Sequence, residues 1–290
     1  MSQKLSVVVA GATGSQGGAV VKSLLERGHK VRAVTRNTQS EKARALDSAG
    51  VTLVRASLED TGALTKALEG ATSFFAMTTP FEGGTQAEIR QGISAAEAAK
   101  AAGVHFVFTS VGSANRDTGV PHFDSKYEVE QHIAKIGVRA TILAPVYFME
   151  NLSYLREQLA KGLYATPLPP DRKLAQVAVA DIGAVAVGVL EEPGRFAGRR
   201  FDLASDELTG DEVAAALSRV SGRPFTYFQV PLDVIRQGMG DDAVTMYKWF
   251  ERVGYSVDRP ALQREFPGVR FQTFESWLKG RDWKSLLQAA

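Results

Sequence analysis

The sequence predicts an α/β protein, a doubly wound parallel sheet with a smaller, mostly helical C-terminal domain. Three observations lead there. Between residues 5 and 143, short β-branched or aromatic runs alternate with longer segments of helical period, the pattern of βαβ units. Several of the helical segments stop at a glycine (Gly28, Gly50, Gly103, Gly137), and a strand-like run begins within a few residues of each. Between the first strand-like run and the first helix, Gly11, Gly14 and Gly17 recur at intervals of three.

The strands follow in order: Leu5 to Ala10, Val31 to Thr35, Val51 to Arg55, Thr72 to Met77, Val104 to Thr109 and Arg139 to Leu143. Each is short and mostly apolar, as a strand covered on both faces must be. After Pro145 the rhythm changes. Pro167, Pro169 and Pro170 mark a loop, a helical stretch runs from Asp181 to Leu190 with Asp181 as its expected N-cap, and Arg200 to Ala204 forms one more strand. The remainder from Leu208 is mostly helical, and Trp249, Phe250, Phe274 and Trp277 are spaced for core packing. The expected division is 1–150, with 174–204 returning to it, as the nucleotide-binding domain, and 151–173 with 205–290 as the smaller one.

Composition narrows the function. With 34 basic and 32 acidic side chains the net charge is +2 and no basic stripe stands out, so direct nucleic-acid binding is not expected. The chain has no cysteine, which excludes disulfides, iron–sulfur ligation and thiolate nucleophiles. The histidines show no metal-ligand spacing, so no metal site is expected. The run Leu5 to Ala10 is too short for a signal peptide, and Val177 to Leu190 is interrupted by Asp181. A cytoplasmic protein without a membrane span is expected.

The run Gly11-Ala12-Thr13-Gly14-Ser15-Gln16-Gly17 sits where the chain must turn sharply and aim backbone N–H groups at an anion. The partial positive charge of a helix N-terminus then favours a pyrophosphate without any lysine. Gly11, Thr13, Gly14, Ser15, Gln16 and Gly17 are therefore candidate cofactor contacts. The second strand ends in Thr35-Arg36-Asn37, where a site for NAD would carry an acid for the ribose 2′-hydroxyl. Arg36 offers instead a planar charged fork for a 2′-phosphate, which points to NADP(H); a solvated loop residue is the plainer alternative. Ligands of open parallel sheets bind beyond the carboxyl ends of the strands. Thr78, Thr79 and Phe81 after strand four are expected near the nicotinamide or pyrophosphate, and Pro145, Tyr147, Phe148 and Asn151 after strand six in a cleft; packing is the alternative for all of them.

The glycine turn, Thr35-Arg36-Asn37, His122-Phe123-Asp124-Ser125-Lys126-Tyr127-Glu128-Val129-Glu130, Pro145 to Asn151 and Val179-Ala180-Asp181-Ile182-Gly183 together resemble the NmrA-like family, most closely its HSCARG-like branch. The resemblance covers most of the chain. It implies an atypical relative of the extended short-chain dehydrogenases, with a Rossmann domain and a smaller C-terminal domain flanking a cleft. It also implies an adenine contact at Ser57 and Leu58, although the family usually has Asp where this chain has Ser57.

Ordinary short-chain dehydrogenases carry Tyr-x-x-x-Lys on the helix after strand five and a Ser at that strand's end. Here Lys126 matches the lysine, His122 stands at the tyrosine position and Ser110 at the serine position. Residues four apart share a helix face, so His122 and Lys126 point together while Tyr127 is rotated away by about 100°. Lys126 is expected to hold the nicotinamide ribose. His122 is either a proton donor or a structural histidine. Two functions follow from the resemblance: an NADPH-dependent reductase of small electron-poor acceptors such as quinones, or a non-enzymatic NADP(H) sensor that regulates a protein partner. A module for another nucleotide is a third.

Overall fold

The computed structural model describes residues 4–282. The expected domain bounds extend to residues 1–3 and 283–290, which lie outside the described residues. The chain divides into two compact units. The first comprises 1–117, 121–144 and 182–202, and the second 118–120, 145–181 and 203–290. Against the expected division, residues 118–120, 145–150, 174–181 and 203–204 fall in the second unit. For 145–150 and 174–181 the reason is pairing: Leu174–Val177 is the central strand of a small separate sheet, bonded to Tyr147–Phe148 on one side and to Asp206–Leu208 on the other.

The first unit alternates strand and helix from its start: β1 (Ser6–Ala10), α1 (Ser15–Glu26), β2 (Lys30–Thr35), α2 (Glu41–Ser48), β3 (Thr52–Arg55), α3 (Thr61–Ala67), β4 (Ser73–Met77), α4 (Gly84–Ala102), β5 (His105–Thr109), α5 (Pro121–Ile136) and β6 (Ala140–Pro145). The returning segment adds α7 (Val179–Glu191), α8 (Pro193–Phe196) and β10 (Arg200–Leu203). The sheet order is β10-β6-β5-β4-β1-β2-β3. β1 pairs in parallel with both β2 and β4, with Val7 opposite Val31 on one side and Ser73 on the other. The connection therefore reverses direction at β1, which opens a crevice at its carboxyl end. The parallel sheet expected from the alternating pattern is present.

Helices cover both faces of this sheet, which is why VVVA, FFA and FVF are buried without alternation. Val8, Phe74, Phe106 and Phe108 pack beneath α3, α4 and α5 with Leu64, Ala95, Ala99 and Val129. On α4, a Cβ at Gly92 would stand 2.5 Å from a methyl of Val129, so this glycine sets how closely α4 and α5 approach. On the other face α7 crosses α1: a Cβ at Gly183 would lie 2.7 Å from the carbonyl oxygen of Ala19. The helix stop expected at Gly103 is an αL cap, with φ 68°.

The second unit holds β7 (Tyr147–Phe148), α6 (Arg156–Ala160), β8 (Leu163–Thr166), β9 (Leu174–Val177), β11 (Asp206–Leu208), α9 (Gly210–Ser221), β12 (Thr226–Gln229), α10 (Leu232–Arg252), α11 (Arg259–Glu265) and α12 (Phe274–Lys279). Leu159, Val213, Leu217, Phe225, Phe274, Trp277 and Leu278 form its core. Trp249 and Phe250 are buried as well, as their spacing suggested. Asp181 is not an N-cap. Its carboxylate lies inside the first turn of α7, is 4 % exposed, and accepts from Ser205 Oγ at 2.6 Å and from the Gln272 backbone and side-chain amides at 2.9 and 3.0 Å. Among the described residues no helix is long and apolar enough to cross a membrane.

Candidate functional site

β1 ends at Ala10, and Gly11 turns the chain with φ 73°. A Cβ there would meet Met77 of β4 at 2.9 Å. The Gly14 N–H donates to Gly11 O at 2.9 Å, and α1 starts at Ser15. At Gly17 a Cβ would stand 2.2 Å from Gly11 O, an overlap with backbone that no side-chain shift relieves. Strand and helix thus approach as closely as glycine permits. The mouth of α1 has no side-chain cap and no acid in its first turn. By contrast Ser40, Asp60, Thr209, Asp258 and Thr273 cap other helices. Within that first turn, Gln16 Oε1 is a buried oxygen without a hydrogen-bond partner. An uncapped N-terminus behind a turn with no room for side chains, next to an unsatisfied buried amide, fits a dinucleotide pyrophosphate.

Thr35 and Asn37 build the turn after β2. The Thr35 hydroxyl donates to Asn37 O at 3.3 Å and accepts from Asn37 N–H at the same distance, and Asn37 Oδ1 accepts from Gln39 N–H at 2.9 Å. This turn presents Arg36 outward with its side chain 72 % exposed, and Arg36 Nη2 lies 2.8 Å from Glu82 Oε2. Ser57 Oγ accepts from Glu59 N–H at 3.2 Å, and Leu58 packs against the core of the first unit. Both shape the turn into α3.

Lys126, Thr78 and Ser125 converge on a residue the sequence did not single out. Glu88 of α4 is fully buried. Its Oε1 accepts from Lys126 Nζ at 2.6 Å and Thr78 Oγ1 at 3.2 Å, and its Oε2 accepts from Ser125 Oγ at 2.6 Å. Lys126 Nζ also donates to Thr78 O at 2.9 Å. Two of the ammonium's three protons are thereby directed, and one is left. The signal for Glu88 was present in outline: it heads the stripe Glu88, Gly92, Ala95, Ala99 along one face of α4, and a carboxylate leading a face of small residues is buried only with a partner. Nearby, Thr79 Oγ1 accepts from Phe81 N–H at 3.4 Å. Phe81 is 86 % exposed, and its ring lies 6.2 Å from that of His122, which also packs edge-on against Phe123.

Ser110 stands apart from this group. Its hydroxyl donates to buried Glu130, whose other oxygen accepts from Arg200 Nε at 2.9 Å. Arg200 goes on to Asp202 Oδ2 at 2.9 Å and Val111 O at 3.0 Å, and Asp202 Oδ1 accepts from the N–H of Ser113, a non-glycine residue at φ 62°. Pro145, Tyr147, Phe148 and Asn151 lie in the second unit. There burial raises the Tyr147 phenol above its ordinary pKa, with Tyr247 and Asn151 acting in the opposite direction. Phe148 pairs with Val177.

Comparison with known proteins gives consistent results. A model of the NmrA-like family matches residues 3–278. An NAD(P)H azoreductase of Xenophilus azovorans is 33% identical over 235 residues, 80% of each chain. The nitrogen metabolite repression protein of Emericella nidulans is 29% identical over 79% of this chain and 69% of its own length. Among solved structures, an NADPH-dependent quinone oxidoreductase of Escherichia coli, complexed with NADPH, superposes with a TM-score of 0.81 at 27% identity, covering 94% of this chain and 98% of that one.

Proposed function

The chain belongs to the NmrA-like family, and from that premise we propose an NADPH-dependent reductase of small electron-poor acceptors such as quinones. The observation that carries the cofactor assignment is the open, uncapped mouth of α1, where a Cβ at Gly17 would stand 2.2 Å from Gly11 O. The acceptor class rests on the named activities of the azoreductase and quinone oxidoreductase relatives. The first unit is assigned as the NADP-binding domain of a cytoplasmic protein whose partner is a small molecule.

A reduced nicotinamide supplies a hydride. The residues of the chain bind and orient it. The first-turn amides of α1 take the pyrophosphate, Arg36 the 2′-phosphate, and the remaining N–H of Lys126 the ribose hydroxyls, at a place fixed by Glu88 and the carbonyl of Thr78. Ser110 spends its proton on Glu130 and is not assigned to catalysis. The proton a quinone takes up with the hydride is drawn from water, since for such an acceptor orientation and desolvation suffice.

A regulator that reads NADP(H) occupancy is the second reading. It is favoured by His122 at the tyrosine position, by the closed Ser110 network and by the repression protein among the relatives. Stoichiometric NADPH, followed by its absorbance against a panel of quinones, enones and imines, separates the two. Acceptor-dependent oxidation, reduced roughly tenfold or more in Lys126→Met, supports the reductase. Tight binding without oxidation by any acceptor transfers the assignment to the regulator.

A further inference from the structure

The ion pair between Arg36 and Glu82 joins two segments that the sheet order holds apart. Arg36 follows β2 and Glu82 follows β4, while β1 runs between them. With strands about 4.8 Å apart, the pair reaches across the edge of the sheet above the strand whose end is the glycine turn. Glu82 is presented there by a tight turn: Gly84 N–H donates to Pro80 O at 2.7 Å, and Gly84 has φ 78°. The two side chains are 72 % and 61 % exposed, so the pair lies at the solvent side and does not wall off the glycine turn.

We propose that Glu82 is a specificity-determining residue, an internal carboxylate that competes with the 2′-phosphate of NADP(H) for the Arg36 guanidinium. The proposal rests on the assignment of Arg36 as the 2′-phosphate partner. A guanidinium presents its fork to a carboxylate and to a phosphate in the same geometry, and the two anions repel each other when both approach it. A 2′-phosphate therefore binds by displacing Glu82. The phosphate, with its greater charge, wins the exchange, and the displaced pair subtracts from its affinity. A cofactor with a 2′-hydroxyl leaves the Arg36–Glu82 pair in place and suffers no such subtraction. Arg36 gives the preference its sign, and Glu82 limits its size.

The test is the dissociation constant of NADPH and of NADH, read from nicotinamide fluorescence, for the unmodified protein, Glu82→Gln, Arg36→Ala and the double variant. Exposed ion pairs are weak, so Glu82→Gln is expected to tighten NADPH by roughly two- to fivefold, leave NADH unchanged, and have no effect on NADPH once Arg36 is Ala. Equal tightening of both cofactors, unchanged NADPH affinity, or the same gain in the Arg36→Ala background overturns the competition while leaving the role of Arg36 intact. A preference for NADPH over NADH that Arg36→Ala does not diminish overturns the role of Arg36 and the inference with it.

Discussion

Glu88 and Glu130 are both carboxylates buried in the first unit, and each receives a residue that the dehydrogenase pattern marks as functional. Glu88 takes Lys126, Thr78 and Ser125, and the lysine keeps a proton to offer. Glu130 takes Ser110 and Arg200, and Arg200 continues to Asp202 and the Val111 carbonyl, so the hydroxyl proton ends inside a closed network. Motif position is the same kind of evidence for both. What separates them is whether a donor remains after the interior has been satisfied, and that depends on partners far along the chain.

The difference breaks most directly at Lys126. Its replacement by Met leaves Glu88 as an uncompensated buried charge, and urea unfolding should show a loss of about 3–5 kcal/mol. Combining Lys126→Met with Glu88→Leu should restore most of that stability but not the acceptor-dependent rate. Recovery of both would reduce Lys126 to a structural ion-pair partner. A second measurement sharpens the comparison with a buried group that has no charged partner. His105 Nε2 donates to Thr141 Oγ1 at 3.0 Å, since that hydroxyl gives its own proton to Phe196 O at 2.8 Å, and His105 Nδ1 is left without a partner. Burial, with a smaller contribution from the charge of Arg139, lowers its pKa to about 4. The folded state thus resists a proton that the unfolded chain binds near pH 6.5. Stability fully present above that pH should fall by up to about 3 kcal/mol as pH drops toward 4. In His105→Gln that part of the slope should vanish, leaving the acid dependence of the carboxylate networks; an unchanged slope assigns all of it to them. The smallest effect is expected at Ser110. Its replacement by Ala takes one donor from the buried Glu130 carboxylate, should lower stability by about 2 kcal/mol, and should leave turnover within about a factor of two. A large fall in rate at unchanged stability would return Ser110 to the catalytic set.

Much of the first unit was readable from the sequence because its cues are local. The run Leu5 to Ala10 is β1 but for its first residue, and the other six expected strands begin within one residue of those found. A buried parallel strand and a glycine-stopped helix each announce themselves within a few residues. The second unit announces little. β8, β9 and β12 have four residues each, and β8 pairs with β12 across α7, α8 and α9. Within the site, the glycine turn and Arg36 could be named from neighbours in sequence. Glu88 announced only that it would need a partner, and Glu82 announced nothing, because their partners are supplied by α5 and by the turn after β2. Asp181 shows the converse error: an acid at a helix start suggests a cap, and the fold gave it Ser205 and Gln272 instead.

The returning segment gives the chain a particular order of assembly. When residues 1–144 have left the ribosome, β6 is still an edge strand, and the patch of α1 around Ala19 that Gly183 will cover faces water. Residues 145–181 must be synthesised, and belong elsewhere, before Ile182, Val185, Ala186 and Val189 arrive to bury that face. The first unit thus stays incomplete until residue 202 has been made, well after its first six strands. A nascent chain halted between 144 and 182 would carry an open strand edge and an uncovered helix, the two features by which an incomplete sheet finds the wrong partner.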